Sequence, residues 1–214
     1  MTSEAKNTWR RADASRLTPH ASQRITGVIL AGGRGRRMGG VDKGLRELRG
    51  KPMVEWVLER FAPQVDAVLI NANQNLELYA RFGHPVIADE IGGFAGPLAG
   101  LQCALSAARD PLVATVPCDS PFLPADLVAR LDTALQARQA QLAVARTGNQ
   151  PHPVFCLCRR DVLPHLTEFL AGGGRKIDSW YAALCVVEVA YDDEADAFSN
   201  INTPEELMAF ERSR

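Results

Sequence analysis

The residues of this chain that are best suited to chemistry lie in a glycine-rich, basic segment at positions 30–43, LAGGRGRRMGGVDK. Glycine lets successive backbone N–H groups approach a ligand closely, and such groups form a concavity that binds anions. Arg36, Arg37 and Lys43 add positive charge, and a lysine ammonium is a compact partner for phosphate. The segment therefore predicts a binding site for a nucleoside triphosphate.

Two common phosphate-binding motifs do not describe this segment. Gly33 and Gly35 have the spacing of the dinucleotide-binding fingerprint, but Met38 stands where the third glycine is needed. A Walker A loop needs Lys and then Ser or Thr directly after its last glycine, whereas a valine follows Gly40. A solvated basic turn is the alternative, and the apolar strand-like run before the segment disfavours it.

Asp119 is the second candidate, because it directly follows an apolar run at 112–116 and is held between Pro117 and Pro121. A triphosphate requires a divalent cation, and Mg²⁺ binds carboxylate oxygens while keeping several waters. The alternative is that Asp119 caps a helix that begins near Pro124. Together with the glycine-rich segment, the spacing favours a magnesium ligand.

Asn71 and Asp89 end two further apolar runs and are candidates for reading the base. Guanine presents two N–H donors that one carboxylate can accept, and an amide can donate to its O6. The alternative is that both are ordinary turn residues. Arg175 and Lys176 follow three glycines and would clamp an anion or be solvated, and His152 would touch substrate or simply be exposed.

The elements that must position these residues alternate between strand and helix patterns, which predicts an α/β fold with a mostly parallel sheet and an antiparallel insertion. Ligands of such sheets bind outside the carboxyl ends of the strands, where the candidates lie. The predicted strands cover 25–30, 67–70, 85–88, 112–116, 142–146, 154–157 and 185–189. The predicted helices follow Pro52, cover 76–82, run from 101 to about 108, include 127–135, cover 161–170 and 177–184, and begin again at Pro204.

Composition is that of a soluble globular protein: 214 residues, 46% hydrophobic, 23% charged, with a formal net charge of −1. This charge disfavours a general nucleic-acid surface, and no apolar run approaches the length of a membrane span. We expect one domain over 24–214 after a disordered extension over 1–23. The five cysteines form no C-x-x-C pair, which indicates a reducing, cytoplasmic setting.

The segment at 30–43 resembles the signature of nucleotidyltransferases with a Rossmann-like fold, and Arg37 and Lys43 match its basic positions. Further segments resemble the molybdenum cofactor guanylyltransferases. These are Lys43-Gly44-Leu45 with Gly50-Lys51-Pro52, Asn71-Ala72-Asn73, Gly96-Pro97-Leu98-Ala99-Gly100, Pro117-Cys118-Asp119-Ser120-Pro121, His152-Pro153, and Asn200-x-Asn202-Thr203-Pro204-Glu205-Glu206-Leu207. The resemblance covers about 25–210 and implies a three-layer fold with a mostly parallel sheet.

The resemblance also implies a reaction, in which GMP passes from GTP to the phosphate of molybdopterin and pyrophosphate is released. Arg37, Lys43 and Asp119 would be catalytic, with Asp119 binding Mg²⁺. The implied GTP-binding residues are Leu30, Ala31, Gly32, Gly33, Lys43, Asn71, Asp89 and Asp119. Asn200 and Asn202 match a motif near the metal and the second substrate. Apart from the resemblance, the basic pair Arg175 and Lys176 beside three glycines is a candidate for contacting the second substrate.

Three alternatives remain open at this point: a molybdopterin cytidylyltransferase, a sugar-phosphate nucleotidyltransferase of the same fold, and a non-catalytic module that binds GTP or delivers the cofactor. Beyond its substrates, we expect a monomer that meets other molybdenum cofactor biosynthesis proteins and the chaperones of molybdoenzymes. We expect neither a nucleic acid nor a membrane as a partner.

Overall fold

The computed structural model describes residues 23–33, 42–89 and 96–212. Nine strands are found there: β1 Ile25–Leu30, β2 Glu47–Leu48, β3 Lys51–Pro52, β4 Ala67–Asn71, β5 Val86–Ile87, β6 Leu112–Pro117, β7 Leu142–Thr147, β8 Gln150–Arg159 and β9 Val186–Ala190. Seven α-helices accompany them: α1 Met53–Phe61, α2 Leu76–Ala80, α3 Pro97–Ala107, α4 Leu127–Arg138, α5 Leu163–Ala171, α6 Ile177–Tyr181 and α7 Pro204–Arg212. Short 3₁₀ turns cover Ala62–Gln64, Arg160–Val162 and Asp192–Phe198.

The main sheet has seven strands in the order β5-β4-β1-β6-β8-β7-β9. Strand β1 pairs in parallel with β4 and β6, β5 pairs in parallel with β4, and β7 pairs in parallel with β9. Strand β8 alone runs antiparallel, to β6 on one side and β7 on the other. The predicted parallel sheet with an antiparallel insertion is therefore confirmed.

Helices cover both faces of this sheet, because successive strand side chains point to opposite sides. Ile29 of β1 belongs to an apolar cluster with α1 and α4, where Phe61 and Leu131 are buried. The preceding Val28 belongs to a second cluster with α3 and α5, in which Leu105 is buried. The arrangement is the three-layer α/β fold predicted from the sequence.

A third, smaller cluster attaches the C-terminal helix α7 to the β2–β3 hairpin. Leu48, Met53 and Ile201 are fully buried there, and Leu207 and Phe210 of α7 pack against them. The hairpin was not predicted, because strands of two residues carry no readable alternation. Thr203 and Glu206 form a capping box at the start of α7: the Glu206 N–H donates to Thr203 Oγ1 at 3.2 Å, and the Thr203 N–H donates to Glu206 Oε2 at 3.2 Å.

The two largest errors in the predicted boundaries are at the start of α3 and the start of β8. Helix α3 begins at Pro97 rather than after Gly100, because Gly96, at φ +77°, turns the chain into it and proline fits a first helical turn. Strand β8 begins at Gln150 rather than Val154, so it contains two prolines and His152. The prolines are tolerated because β6 pairs with β8 only from Cys156 onward, which leaves one edge of this stretch without a strand partner.

Residues 1–22, the main part of the predicted N-terminal extension, lie outside the described residues. Among the helices in the described part of the chain, none is long and apolar enough to cross a membrane.

Candidate active site

The carboxyl ends of β4, β1 and β6 bring the first candidates together. The Ala31 N–H donates to the Asn71 carbonyl at 2.7 Å, and the Cys118 N–H donates to the Leu30 carbonyl at 3.1 Å. The start of the glycine-rich segment therefore lies between the residues that follow β4 and β6. This convergence is what the strand-end rule predicts for a parallel sheet.

Lys43 is held by two side chains that are far away in sequence. Its Nζ lies 2.9 Å from Asp119 Oδ2 and 2.5 Å from Asn202 Oδ1. The Lys43 and Asp119 side chains are only 23% and 12% exposed. An ammonium, a carboxylate and an amide oxygen thus share one partly buried position, where charges interact more strongly than in bulk water.

The stretch after β6 is fixed by the segment that precedes α7. The Ile201 N–H donates to the Asp119 carbonyl at 2.9 Å, and Ser120 Oγ lies 2.5 Å from Asn200 Oδ1. The Asn200 side chain therefore contacts Ser120, whereas Asn202 contacts Lys43. The alternative that Asp119 caps a helix is wrong, since α4 begins at Leu127, after Asp126.

Asn71 and Asp89 form a second group with Asn73. Asn71 Nδ2 donates to Asp89 Oδ1 at 2.9 Å, and Asn73 Nδ2 donates to Asp89 Oδ2 at 2.8 Å. Asn73 Oδ1 in turn accepts the Asp89 N–H at 2.9 Å. The Asp89 carboxylate is thus held by two amides, while each oxygen keeps a further lone pair for a ligand donor.

Two glycines let the backbone pack against this second group. A Cβ at Gly32 would lie 2.7 Å from Asn73 Nδ2, and a Cβ at Gly100 in α3 would lie 2.8 Å from Asn71 Oδ1. A side chain at either position would therefore force one of these amides to shift. Sequence reasoning missed Asn73 as a site residue, although its spacing of two from Asn71 in an extended chain indicates a side chain on the same face.

The residue before Lys43 is also anchored. Asp42 Oδ1 accepts a hydrogen bond from the Tyr79 hydroxyl at 2.5 Å, and Asp42 Oδ2 accepts one from Asn75 Nδ2 at 3.1 Å. Burial, together with nearby Cys118 and Asp42, raises the pKa of Tyr79 far above its usual value. The hydroxyl therefore stays protonated and acts as a donor.

Comparison with known proteins identifies the family. A family model described as the MobA-like NTP transferase domain matches residues 27–186. The chain belongs to this family. The matched range contains Lys43, Asn71, Asp89 and Asp119 but ends before Asn202, so the segment that contacts Lys43 from the C-terminal side lies outside the family model.

Individual MobA-like relatives match nearly their whole length. A molybdenum cofactor guanylyltransferase from Cupriavidus taiwanensis is 52% identical over 192 residues, which cover 87% of this chain and 96% of that protein. One from Shewanella amazonensis is 52% identical over 186 residues, covering 87% and 95%. The crystal structure of molybdopterin-guanine dinucleotide biosynthesis protein A from Archaeoglobus fulgidus aligns with a TM-score of 0.73 at 26% identity, covering 87% and 96%. The resemblance inferred from the motifs is confirmed.

The structure shows no hydrogen bond between the remaining predicted site residues that it describes and either the Lys43–Asp119–Asn202 group or the Asn71–Asn73–Asp89 group of this MobA-like chain. Arg37 lies outside the described residues. Gly33 is exposed, and a Cβ there would meet nothing within 4 Å. Arg175 Nη1 donates to the carbonyls of Leu170 and Gly174 at the end of α5, and Lys176 is exposed. Within the described ranges, no hydrogen bond links either basic residue to Lys43, Asp119 or Asn202.

His152 differs from the exposed loop residue that the sequence suggests. It lies in β8, its Nε2 is 2.7 Å from Thr147 Oγ1, and its ring stacks on Phe198 at 4.8 Å between centroids. Burial lowers the pKa of His152 below the usual value of a histidine. The side chain is therefore a partnered part of the structure, and it favours its neutral form.

Proposed function

We propose that this chain is a molybdenum cofactor guanylyltransferase, which transfers GMP from GTP to the terminal phosphate of molybdopterin and releases pyrophosphate. The observation that carries the proposal is the 52% identity to a protein of that name over 96% of that protein's length. The Lys43–Asp119–Asn202 group supports it, because a non-catalytic delivery module needs no carboxylate beside a phosphate-binding lysine. The cytidylyltransferase and sugar-phosphate alternatives are less favoured.

The nucleotide would lie along the start of the glycine-rich segment. Backbone groups of Leu30, Ala31, Gly32 and Gly33 would contact GTP, as the family resemblance implies. Asn71 is 2% exposed and its amide already donates to Asp89, so the half-buried Asp89 is the more accessible reader of guanine. Its carboxylate is oriented before the ligand arrives, which lowers the entropic cost of binding.

Charge stabilisation rather than covalent catalysis would accelerate the transfer. Phosphoryl-type transfer depends on positioning and on compensating the charge of the reacting oxygens. Lys43 would stabilise the leaving pyrophosphate, and Arg37 is proposed to join it. The attacking phosphate of molybdopterin is an anion at neutral pH, so no protein base has to remove a proton.

A magnesium ion is proposed at Asp119, and the residues present fit it. Within the described residues, no group of three or more His, Cys, Asp or Glu side chains could hold a metal. Mg²⁺ nevertheless binds through one or two carboxylates together with substrate phosphates and water. Asp119 Oδ2 faces Lys43, whereas Oδ1 accepts no hydrogen bond within the described chain, and Asn202 adds an amide oxygen nearby. When bound, Mg²⁺ would neutralise negative charge on the triphosphate.

For the second substrate, Asn202 is a better candidate than Asn200. The Asn200 side chain already contacts Ser120, whereas Asn202 lies beside Lys43 and is half-buried. Arg175 and Lys176 remain predictions for this role.

The proposal is tested by mixing the protein with Mg²⁺, molybdopterin and GTP, CTP or ATP, and by measuring pyrophosphate release. We expect release with GTP only. Release with CTP alone would favour the cytidylyltransferase instead. GTP binding by calorimetry without any pyrophosphate release would favour the delivery module, and omission of Mg²⁺ tests the proposed metal.

A further inference from the structure

A buried tyrosine of α2 holds the backbone that carries Lys43. Tyr79 is 0% exposed, and its hydroxyl donates to Asp42 Oδ1 at 2.5 Å. The same carboxylate accepts the Gly44 N–H at 3.2 Å and Asn75 Nδ2 at 3.1 Å. The residue immediately before Lys43 is therefore tied to α2 and to the residue immediately after Lys43.

Gly44, which has no side chain, leaves the space that the Tyr79 hydroxyl occupies. A Cβ at Gly44 would lie only 2.4 Å from the Tyr79 hydroxyl oxygen and 3.2 Å from Cys118 Cβ. The Gly44 carbonyl also accepts the Val54 N–H of α1 at 2.9 Å. The backbone of residues 42–44 is thus fixed between α1 and α2, and the Lys43 side chain extends from it to Asp119 and Asn202.

Packing alone does not explain a tyrosine at this position. The Tyr79 ring lies in the apolar cluster that contains Ile29 and Phe61, where phenylalanine would fill the same space. A buried hydroxyl costs free energy unless it is hydrogen-bonded. The contribution of the oxygen atom is therefore its bond to Asp42, and through Asp42 it acts on the segment that presents Lys43.

We propose that Tyr79 and Asp42 are positioning residues that hold Lys43 where its ammonium meets Asp119 and Asn202, and hence the phosphates of the nucleotide. The inference rests on the proposed function, because GTP is the ligand that Lys43 would contact. Tyr79 is not a catalytic residue, since its buried hydroxyl faces Asp42. Its effect on the reaction passes through Lys43.

The test is a double-mutant cycle between Tyr79→Phe and Lys43→Met, read by the dissociation constant of GTP with Mg²⁺ and by kcat. Tyr79→Phe should weaken GTP binding several-fold and lower kcat about tenfold, because small errors in the placement of a catalytic group are costly. In the Lys43→Met background, Tyr79→Phe should add no further loss of GTP affinity. An equal loss in both backgrounds would show that Tyr79 does not act through Lys43.

Tyr191→Phe is the matched control for a purely structural effect. Tyr191 is also 0% exposed, and its hydroxyl donates to the Leu127 carbonyl at 2.7 Å, away from Lys43. Both variants should lower the melting temperature, but only Tyr79→Phe should change GTP affinity and kcat. Indistinguishable GTP affinity and kcat in the two variants would overturn the inference. Should Tyr79→Phe fail to fold, Asp42→Asn weakens the same Tyr79–Asp42 hydrogen bond at the less buried residue. It should give the same losses of GTP affinity and kcat.

Failure of the proposed function gives a different pattern. If the unaltered protein binds GTP but releases no pyrophosphate with molybdopterin, the guanylyltransferase proposal falls, and the GTP-binding cycle still decides the role of Tyr79. If the unaltered protein is active and Tyr79→Phe behaves like Tyr191→Phe, only the positioning inference falls. If the protein binds no GTP, both are overturned.

Discussion

At the scale of single residues, the candidate site contains two hydrogen-bonded groups, for which we propose different tasks. Lys43, Asp119 and Asn202 combine opposite charges with an amide oxygen and suit phosphate chemistry. In the second group, the neutral amides of Asn71 and Asn73 orient the carboxylate of Asp89, and this arrangement suits the recognition of a base. Each group can therefore be tested by a measurement that the other should not affect.

Replacement of Asp119 by alanine tests the phosphate group. Asp119→Ala should lower kcat by about 10²- to 10³-fold, the usual effect of removing one electrostatic stabiliser of a transition state. GTP binding should weaken only moderately, since Lys43 remains and loses a competing carboxylate. Asp132→Ala on α4 is the control, because Asp132 contacts Gln136 within its own helix. Unchanged turnover in Asp119→Ala would remove Asp119 from the mechanism.

Replacement of Asp89 by asparagine tests base recognition. The new amide would turn an N–H₂ group toward Asn71 or Asn73 and could no longer accept both guanine donors. Asp89→Asn should therefore weaken GTP by about tenfold, the scale of one charged hydrogen bond, and ATP much less. Calorimetric titration with each nucleotide and Mg²⁺ measures the ratio. Equal weakening of GTP and ATP would assign Asp89 to the ribose or to structure.

At the scale of elements, the first turn of helix α7 is hydrogen-bonded to the backbone of Asn202, a residue of the candidate site. Glu206 Oε2 accepts the Asn202 N–H at 2.6 Å and the Thr203 N–H at 3.2 Å. The cap that begins α7 therefore also fixes the backbone of the residue whose side chain contacts Lys43. A helix end at the protein surface thus contributes to the geometry of a charged group further inside.

Replacement of Glu206 by alanine tests this connection. Glu206→Ala should destabilise the fold by about 1 kcal/mol, as expected for a lost cap, and should lower kcat several-fold as Asn202 loses its position. Glu205→Ala is the matched control, since Glu205 is an exposed neighbour in the same helical turn. Chemical unfolding and steady-state kinetics of both variants give the comparison. Equal kcat in the two variants would mean that the cap serves stability only.

The limits of sequence reasoning follow from the same contacts. Buried strands such as Ile25–Leu30 and the strand-end residues could be predicted, because apolar runs and the parallel-sheet rule are local and general. The start of α3 was missed because Gly96 and Pro97 read as loop residues. The Tyr79–Asp42 bond was missed because a pattern of apolar residues does not show which distant side chain a hydroxyl contacts.

At the scale of the whole molecule, the strand order explains how distant residues meet. Strand β1 lies between β4 and β6. The glycine-rich segment therefore begins at the point where successive strands are placed on opposite sides of β1, and ligands bind at such points in parallel sheets. Strand β9 lies at the far edge of the sheet, and the chain then returns until Ile201 bonds to the Asp119 backbone. The Asp192–Phe198 turn belongs to this return path, and Phe198 stacks on His152 of β8.

The stacked His152 predicts how the stability of the whole fold depends on pH. Because burial lowers the pKa of His152 in the folded state, the unfolded state binds more protons once the pH falls below about 6.5, the usual histidine pKa. Its contribution to the free energy of unfolding should therefore be greatest above this pH and decrease through it on acidification. Urea unfolding between pH 8 and pH 5 should show a smaller acid-induced loss in His152→Gln, whose amide can still bond to Thr147, than in the unaltered protein. If the free energies of unfolding of the two proteins change with pH in parallel, proton binding by His152 does not cause the acid-induced loss. A variant that is less stable by the same amount at every pH has lost only the stacking on Phe198.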